Sequence, residues 1–117
     1  MIVGIGMDVC SVERFQQMVE RHPGVVNRLL TENERRVPLA SQAARFASKE
    51  ALAKALGAPS GMIWLDSEVV RLDGGQPQFE LRGTVAARAT ELGITRVHLS
   101  ISHDAGIACA YVICEAL

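Results

Sequence analysis

The sequence predicts an α+β domain with a largely antiparallel sheet. Two observations carry that prediction. The elements read in the order strand, helices, two strands, helix, two strands, and the paired strands are joined by short turns rich in Gly, Asp and Pro. Hairpin connections of this kind make antiparallel neighbours rather than a doubly wound sheet. Residues 45–57 form an unbroken run of strong helix formers that Gly57 stops.

Each element has a local reason. Residues 2–8, Ile-Val-Gly-Ile-Gly-Met-Asp, are an apolar β-like run read as a buried strand. Ser11 is placed to cap a helix reaching about Arg21, with Phe15, Met18 and Val19 on its inner face. His22-Pro23-Gly24 breaks that helix, and Val25–Leu30 follows as a short apolar segment. Thr31-Glu32-Asn33-Glu34 has the spacing of a capping box, opening a helix that Pro38 keeps short. Ser41 is placed to cap the long helix ending at Gly57. From Ser67 the pattern turns to period two. Glu68–Leu72 and Gln78–Leu81 flank the turn Asp73-Gly74-Gly75-Gln76-Pro77. Thr84–Leu92 reads as a helix stopped by Gly93, and Arg96–Ser102 and Ile107–Cys114 as a closing strand pair joined through Asp104-Ala105-Gly106.

The 117 residues make a single domain, able to bury roughly two-thirds of its unfolded surface. Hydrophobic residues are 49% of the chain but aromatics only 4%, so the core must be aliphatic. Twelve basic and thirteen acidic residues leave a net charge of −1. That balance provides no global field for nucleic acid, and an anionic partner requires a local patch. The three cysteines, Cys10, Cys109 and Cys114, form no Cys-x-x-Cys pair and read as reduced thiols, which places the chain in the cytoplasm. No apolar run approaches the roughly 20 residues of a membrane span.

One residue of the long helix stands out. At about 100° per residue, Glu50 falls near the azimuth of Phe46 and Ala53 rather than among the solvent-facing charges. A carboxylate beside an apolar stripe needs a counter-charge, and Lys54 lies one turn on. An ordinary i,i+4 surface pair would have the same spacing.

Three segments in sequence sharpen this reading. Gly6-Met7-Asp8 is followed by Arg14, six residues after the acid. Phe46-Ala47-Ser48-Lys49-Glu50-Ala51 runs on to Lys54-Ala55-Leu56-Gly57, and Ser100-Ile101-Ser102-His103 ends a strand. Together they resemble the holo-acyl-carrier-protein synthases, the small phosphopantetheinyl transferases, in order and spacing across nearly the whole chain. The resemblance implies the phosphopantetheinyl transferase fold, a twisted antiparallel sheet packed on the long helix and assembled as a homotrimer. It implies transfer of 4′-phosphopantetheine from coenzyme A to a serine of an apo acyl carrier protein, giving 3′,5′-adenosine diphosphate.

The residue roles follow from the same resemblance. Asp8, Glu50 and Lys54 are the candidate catalytic residues, and Asp8 and Glu50 the ligands of magnesium, which favours hard oxygen donors. Glu50 or a metal-bound water would serve as the base for the serine hydroxyl. Arg45 is expected against the 3′-phosphate and His103 at the coenzyme A phosphates, with Lys54, Gly57, Pro77 and Ser102 completing the coenzyme A contacts. Lys49, on another side of the helix, reads as a solvated charge. Arg14, Arg21 and Arg28 recur at seven-residue intervals and are expected to dock an acidic carrier protein of fatty-acid or polyketide synthesis. Val97, Leu99, Ile101 and the run Ile107–Ile113 supply the apolar surface expected to bring three protomers together.

The chain departs from the family pattern in two places. The stretch between Arg28 and Arg45 is short, and Gln76 stands before Pro77 where a lysine is common. Two other functions share parts of the pattern. A non-catalytic coenzyme A-binding subunit would dispense with Asp8, Glu50 or Lys54, yet all three are present. A two-metal phosphohydrolase would carry acid- and histidine-rich clusters, which the sequence lacks.

Overall fold

The computed structural model describes residues 1–117, as five strands and four helices. Strands β1 (Ile2–Ser11), β5 (Ile107–Glu115) and β4 (Arg96–Asp104) form one antiparallel sheet in the order β1-β5-β4. Strands β2 (Ser67–Arg71) and β3 (Pro77–Leu81) form a separate two-stranded antiparallel sheet. The expected single sheet is therefore two.

Helix α1 (Val12–Arg21) starts directly after β1, where the Ser11 hydroxyl accepts a hydrogen bond from the Arg14 amide at 3.2 Å. Phe15 is its buried anchor, with Met18 and Val19 packed beside the core. The segment after the break is helical, not merely apolar: α2 spans Pro23–Leu29 with Pro23 in its first turn. The capping box forms reciprocally, Thr31 N–H donating to the Glu34 carboxylate at 2.9 Å and Glu34 N–H to the Thr31 hydroxyl at 3.3 Å. What it opens is a single 3₁₀ turn, Glu34–Arg36, because Pro38 follows.

Helix α3 runs for 17 residues, Leu39–Ala55. It begins two residues before the expected cap Ser41, with Pro38 at the N-cap and no side-chain cap. At its end Ala58 N–H bonds the Ala53 carbonyl and Gly57 N–H the Lys54 carbonyl, with Gly57 at φ +80°. This double bond pattern closes the last turn and needs a left-handed residue where Gly57 stands. Helix α4 (Gly83–Glu91) buries Val85 and Ala89, and Val85 joins the core.

Strands β4 and β5 run further than their sequence pattern predicts, so that Asp104 pairs with Ile107. Only Ala105 and Gly106 remain as the turn, at φ +52° and +75°. Positive φ at both central residues matches the right-handed twist of a hairpin.

Alternation along β5 separates two faces. Ala108, Ala110, Val112 and Cys114 are buried toward α3, while Ile107, Tyr111 and Ile113 are exposed. Strand β1 repeats this, with Gly6 and Cys10 inward and Ile5, Met7 and Val9 outward. The first strand is therefore covered on one face only, not buried on both. Cys109 and Cys114 fall on opposite faces, and all three cysteines are free.

Candidate active site

The site begins with the two glycines of β1. A methyl group at Gly6 would stand 1.8 Å from the Ala51 carbonyl oxygen, and one at Gly4 2.0 Å from that of Ala55. Those distances exclude any side chain, so the backbone of α3 rests directly on the strand. The helix meets it with a stripe of alanines, Ala44, Ala47, Ala51 and Ala55, all buried. Gly6 of the Gly-x-Asp segment is thus a packing residue, and the contact brings the next inward position, Asp8, beside the C-terminal half of α3.

There the Lys54 ammonium donates to the Asp8 carboxylate at 3.1 Å and to the Met7 carbonyl at 3.0 Å. Lys54 is therefore fastened to β1, whereas its helix spacing predicted a bond to Glu50. Glu50, one turn earlier on α3, is half-buried. Burial pushes its carboxyl above the ordinary glutamate range, the nearby Asp8 charge adds to this, and Lys54 opposes it. The same two acids, after burial itself, raise the Cys10 thiol. Asp8, Glu50 and Lys54 so share one electrostatic neighbourhood, two anions and a cation.

Glu50 and Lys54 line a cleft of about 360 Å³ whose other walls include Ala53, Pro59, Met62 and Trp64. A larger groove of about 480 Å³ between β3, α4 and β4 contains none of the three charged residues. The Trp64 ring lies 6.5 Å from Phe46, which lies 5.7 Å from Phe15 of α1.

The remaining expected residues are placed as follows. His103 ends β4 and is exposed; it pairs with Ala108, so it shares the inward face with Asp8, across β5 and one row along. Ser102 pairs with the half-buried Cys109 and projects from the opposite face, away from Asp8. Gly57 terminates α3, and Pro77 opens β3, paired with Arg71; neither lines the Glu50–Lys54 cleft. Arg14 and Arg21 on α1 and Arg28 on α2 are all exposed, and none forms an ion pair within the chain.

Two functional candidates, Arg71 and Lys49, were not visible in the sequence. Arg45 is half-buried, and desolvation lowers its proton affinity; Glu34 and Glu68 oppose that, while Arg71 adds to it. Arg71, from the first strand of the hairpin, is therefore a second guanidinium near Arg45. Lys49 is not a solvated charge but fully buried, 2.6 Å from the equally buried Glu34. Burial lowers its ammonium's proton affinity and Glu34 holds it up. No spacing rule links residues 15 apart in different elements, so this pair had no sequence signal.

The comparisons with known proteins bear on the fold and the family. Residues 4–112 match the family model described as the 4′-phosphopantetheinyl transferase superfamily. A holo-[acyl-carrier-protein] synthase of Cutibacterium acnes is 58% identical over 115 residues, covering 98% of this chain and 99% of that one. The crystal structure of the Helicobacter pylori holo-[acyl-carrier-protein] synthase in complex with coenzyme A superposes with a TM-score of 0.84 at 31% identity, over 95% of this chain and 99% of that one. That of a Bacillus anthracis holo-(acyl-carrier-protein) synthase with CoA (3′,5′-ADP) gives 0.80 at 35% identity, over 100% and 99%. With its motifs in order, its fold matched end to end and its relatives so named, the chain belongs to the holo-acyl-carrier-protein synthases of the 4′-phosphopantetheinyl transferase superfamily.

Proposed function

We propose that this enzyme, with magnesium, transfers 4′-phosphopantetheine from coenzyme A to a serine of an apo acyl carrier protein. The observation that carries the proposal is that Lys54, which lines one cleft with Glu50, is bonded to Asp8, whose charge also reaches Glu50. In the reaction the serine oxygen bonds to the phosphorus that bears pantetheine. The pyrophosphate P–O bond breaks, and 3′,5′-adenosine diphosphate leaves with the electron pair.

The donor set suits magnesium. The chain has no cluster of three or more His, Cys, Asp or Glu side chains that could enclose a metal. Two carboxylates are what magnesium commonly takes from a protein, the rest being phosphate oxygens and water. Asp8 and Glu50 would hold the ion, which when bound supplies positive charge to the pyrophosphate oxygens.

The chain's own residues supply the rest. Lys54, anchored by Asp8 and the Met7 carbonyl, presents a fixed cation to the leaving side, where negative charge develops. Glu50, the one carboxylate that lines the cleft, is assigned to accept the serine proton. Arg45 and Arg71 repel one another, a repulsion that a bound phosphate would relieve, and their forks suit phosphate oxygens. His103 is assigned to the coenzyme A phosphates from its place on the Asp8 face. Arg14, Arg21 and Arg28 are free to dock an acidic carrier. Three unpaired cysteines and the absence of a helix long and apolar enough to cross a membrane support a cytoplasmic setting. A homotrimer is proposed on the outer face of the β1-β5-β4 sheet.

The test is incubation with coenzyme A, magnesium and an apo carrier protein. The carrier should gain the mass of one phosphopantetheine on serine, with one equivalent of 3′,5′-adenosine diphosphate released. Coenzyme A binding without any gain on the carrier would overturn the proposal.

A further inference from the structure

Lys49 precedes Glu50 in the chain yet has the surroundings of a core residue. Its three ammonium protons have three acceptors: Glu34 Oε1 at 2.6 Å, the Leu29 carbonyl at 2.8 Å and the Trp64 carbonyl at 3.2 Å. Glu34 is satisfied in turn by the Thr31 amide at 2.9 Å and the Val69 amide at 2.8 Å. No buried side-chain polar atom of the chain is left without a partner.

Leu29 is the last residue of α2, directly after Arg28. Trp64 opens the 3₁₀ turn Trp64–Asp66 and forms a wall of the cleft that holds Glu50 and Lys54. One ammonium thus ties α2, α3 and the cleft wall at a single point. Stability alone gives no reason for an ion pair here, since apolar residues of similar volume often serve as well or better. What they cannot do is fix two carbonyls in space.

Resting on the transfer reaction above, we propose that Lys49 is a positioning residue. It holds the Trp64 wall in register with Glu50 and Lys54, and links that wall to the helix carrying Arg28. It touches neither substrate; it acts through the Trp64 and Leu29 carbonyls.

Trp64 is the chain's one tryptophan, so its fluorescence reports on the wall directly. The variant to compare is the double substitution Glu34→Gln with Lys49→Met. It removes both charges together and leaves an amide oxygen to accept from a backbone N–H. The expected result is a folded protein whose Trp64 is more readily quenched by acrylamide without any ligand. Its KM for coenzyme A and its Kd for 3′,5′-adenosine diphosphate should rise by about tenfold, the scale seen when support behind a site residue is lost. Its kcat should change less. Native quenching together with a native KM in the folded variant would overturn the proposal. Should the variant not fold, ¹⁵N-lysine labelling of the wild-type protein decides. The Lys49 Nζ resonance should move when 3′,5′-adenosine diphosphate and magnesium saturate the site, and an unmoved resonance would overturn the proposal. Wild-type protein that fails to modify any carrier would defeat the transfer reading instead, which the ligand-free quenching comparison does not depend on.

Discussion

Glu50 sits where burial and a second carboxylate both favour its protonated form. A carboxyl raised on folding contributes stability below its unfolded pKa, about 4.3 for glutamate, and loses it as pH rises through the folded value. At neutral pH the ionised side chain therefore opposes folding in metal-free protein. Glu50→Gln should melt higher than wild type at pH 7 without metal, and the gap should close towards pH 4. Magnesium should raise the Tm of wild type and not of the variant, because only wild type gains a ligand of the native state. Transfer should fall by about a hundredfold or more, the scale of a lost acid–base group. Near-normal turnover of the folded variant at low magnesium would sink the assignment. Arg14 belongs to a different surface, exposed on α1 without an intrachain ion pair. Arg14→Glu should raise the KM for carrier protein more than that for coenzyme A, since rim charges act on encounter. The wild-type effect should weaken with salt, as exposed charges are screened within about 10 Å at 0.1 M. Equal effects on both substrates would move Arg14 into the nucleotide site.

The contact between β1 and α3 sets the geometry that these side chains share. Gly6→Ala puts a methyl 1.8 Å from the Ala51 carbonyl, a position no rotamer can relieve. We expect a loss of about 1–3 kcal/mol or more, read from urea unfolding, and a weakened magnesium response because Asp8 moves relative to Glu50. A native unfolding midpoint would show that the helix slides aside freely. Elements announced by local chemistry were legible in the sequence: the Ser11 cap, the Gly57 stop, the Thr31–Glu34 box and the hairpin at residues 73–77. Helix α2 was not, because Pro23 and Gly24 read as breakers although proline is well placed in a first turn. The proximity of Asp8 and Glu50 was legible only through the family motifs, since no local rule joins a strand residue to a helix residue 42 positions on. Lys49 escaped because helical azimuth says which residues share a side, not which side the next loop covers. Here the covering came from α2 and the turn at Trp64, both outside the periodic pattern.

At the scale of the whole molecule, one face of the fold is unfinished. The outer side of the β1-β5-β4 sheet exposes Ile5 at 61%, Val9 at 53%, Tyr111 at 50%, Ile107 at 46%, Met7 at 42% and Ile113 at 37%. The register makes this one patch: Ile5 pairs with Ile113, Met7 with Tyr111 and Val9 with Cys109. A contiguous apolar patch of this kind marks an interaction surface rather than a monomer's exterior. The sequence pointed to Val97, Leu99 and Ile101 as part of it, but those pack inward against the core, and β1 takes their place. Ser102 also lies on this outer side, so a copy seated there is where its coenzyme A contact would be built. Asp8, Glu50 and Lys54, by contrast, meet within one chain. We therefore expect a homotrimer with three equivalent sites, each taking its metal ligands from one protomer and part of its nucleotide pocket from the next. Tyr111→Arg places a charge at the middle of the patch, between Met7 and Ser100. The variant should run as a folded monomer in light scattering and lose coenzyme A affinity, while wild-type activity should fall on dilution below the assembly constant. A monomeric protein with full activity would rule the trimer out, and would require the whole coenzyme A site to be complete within one chain.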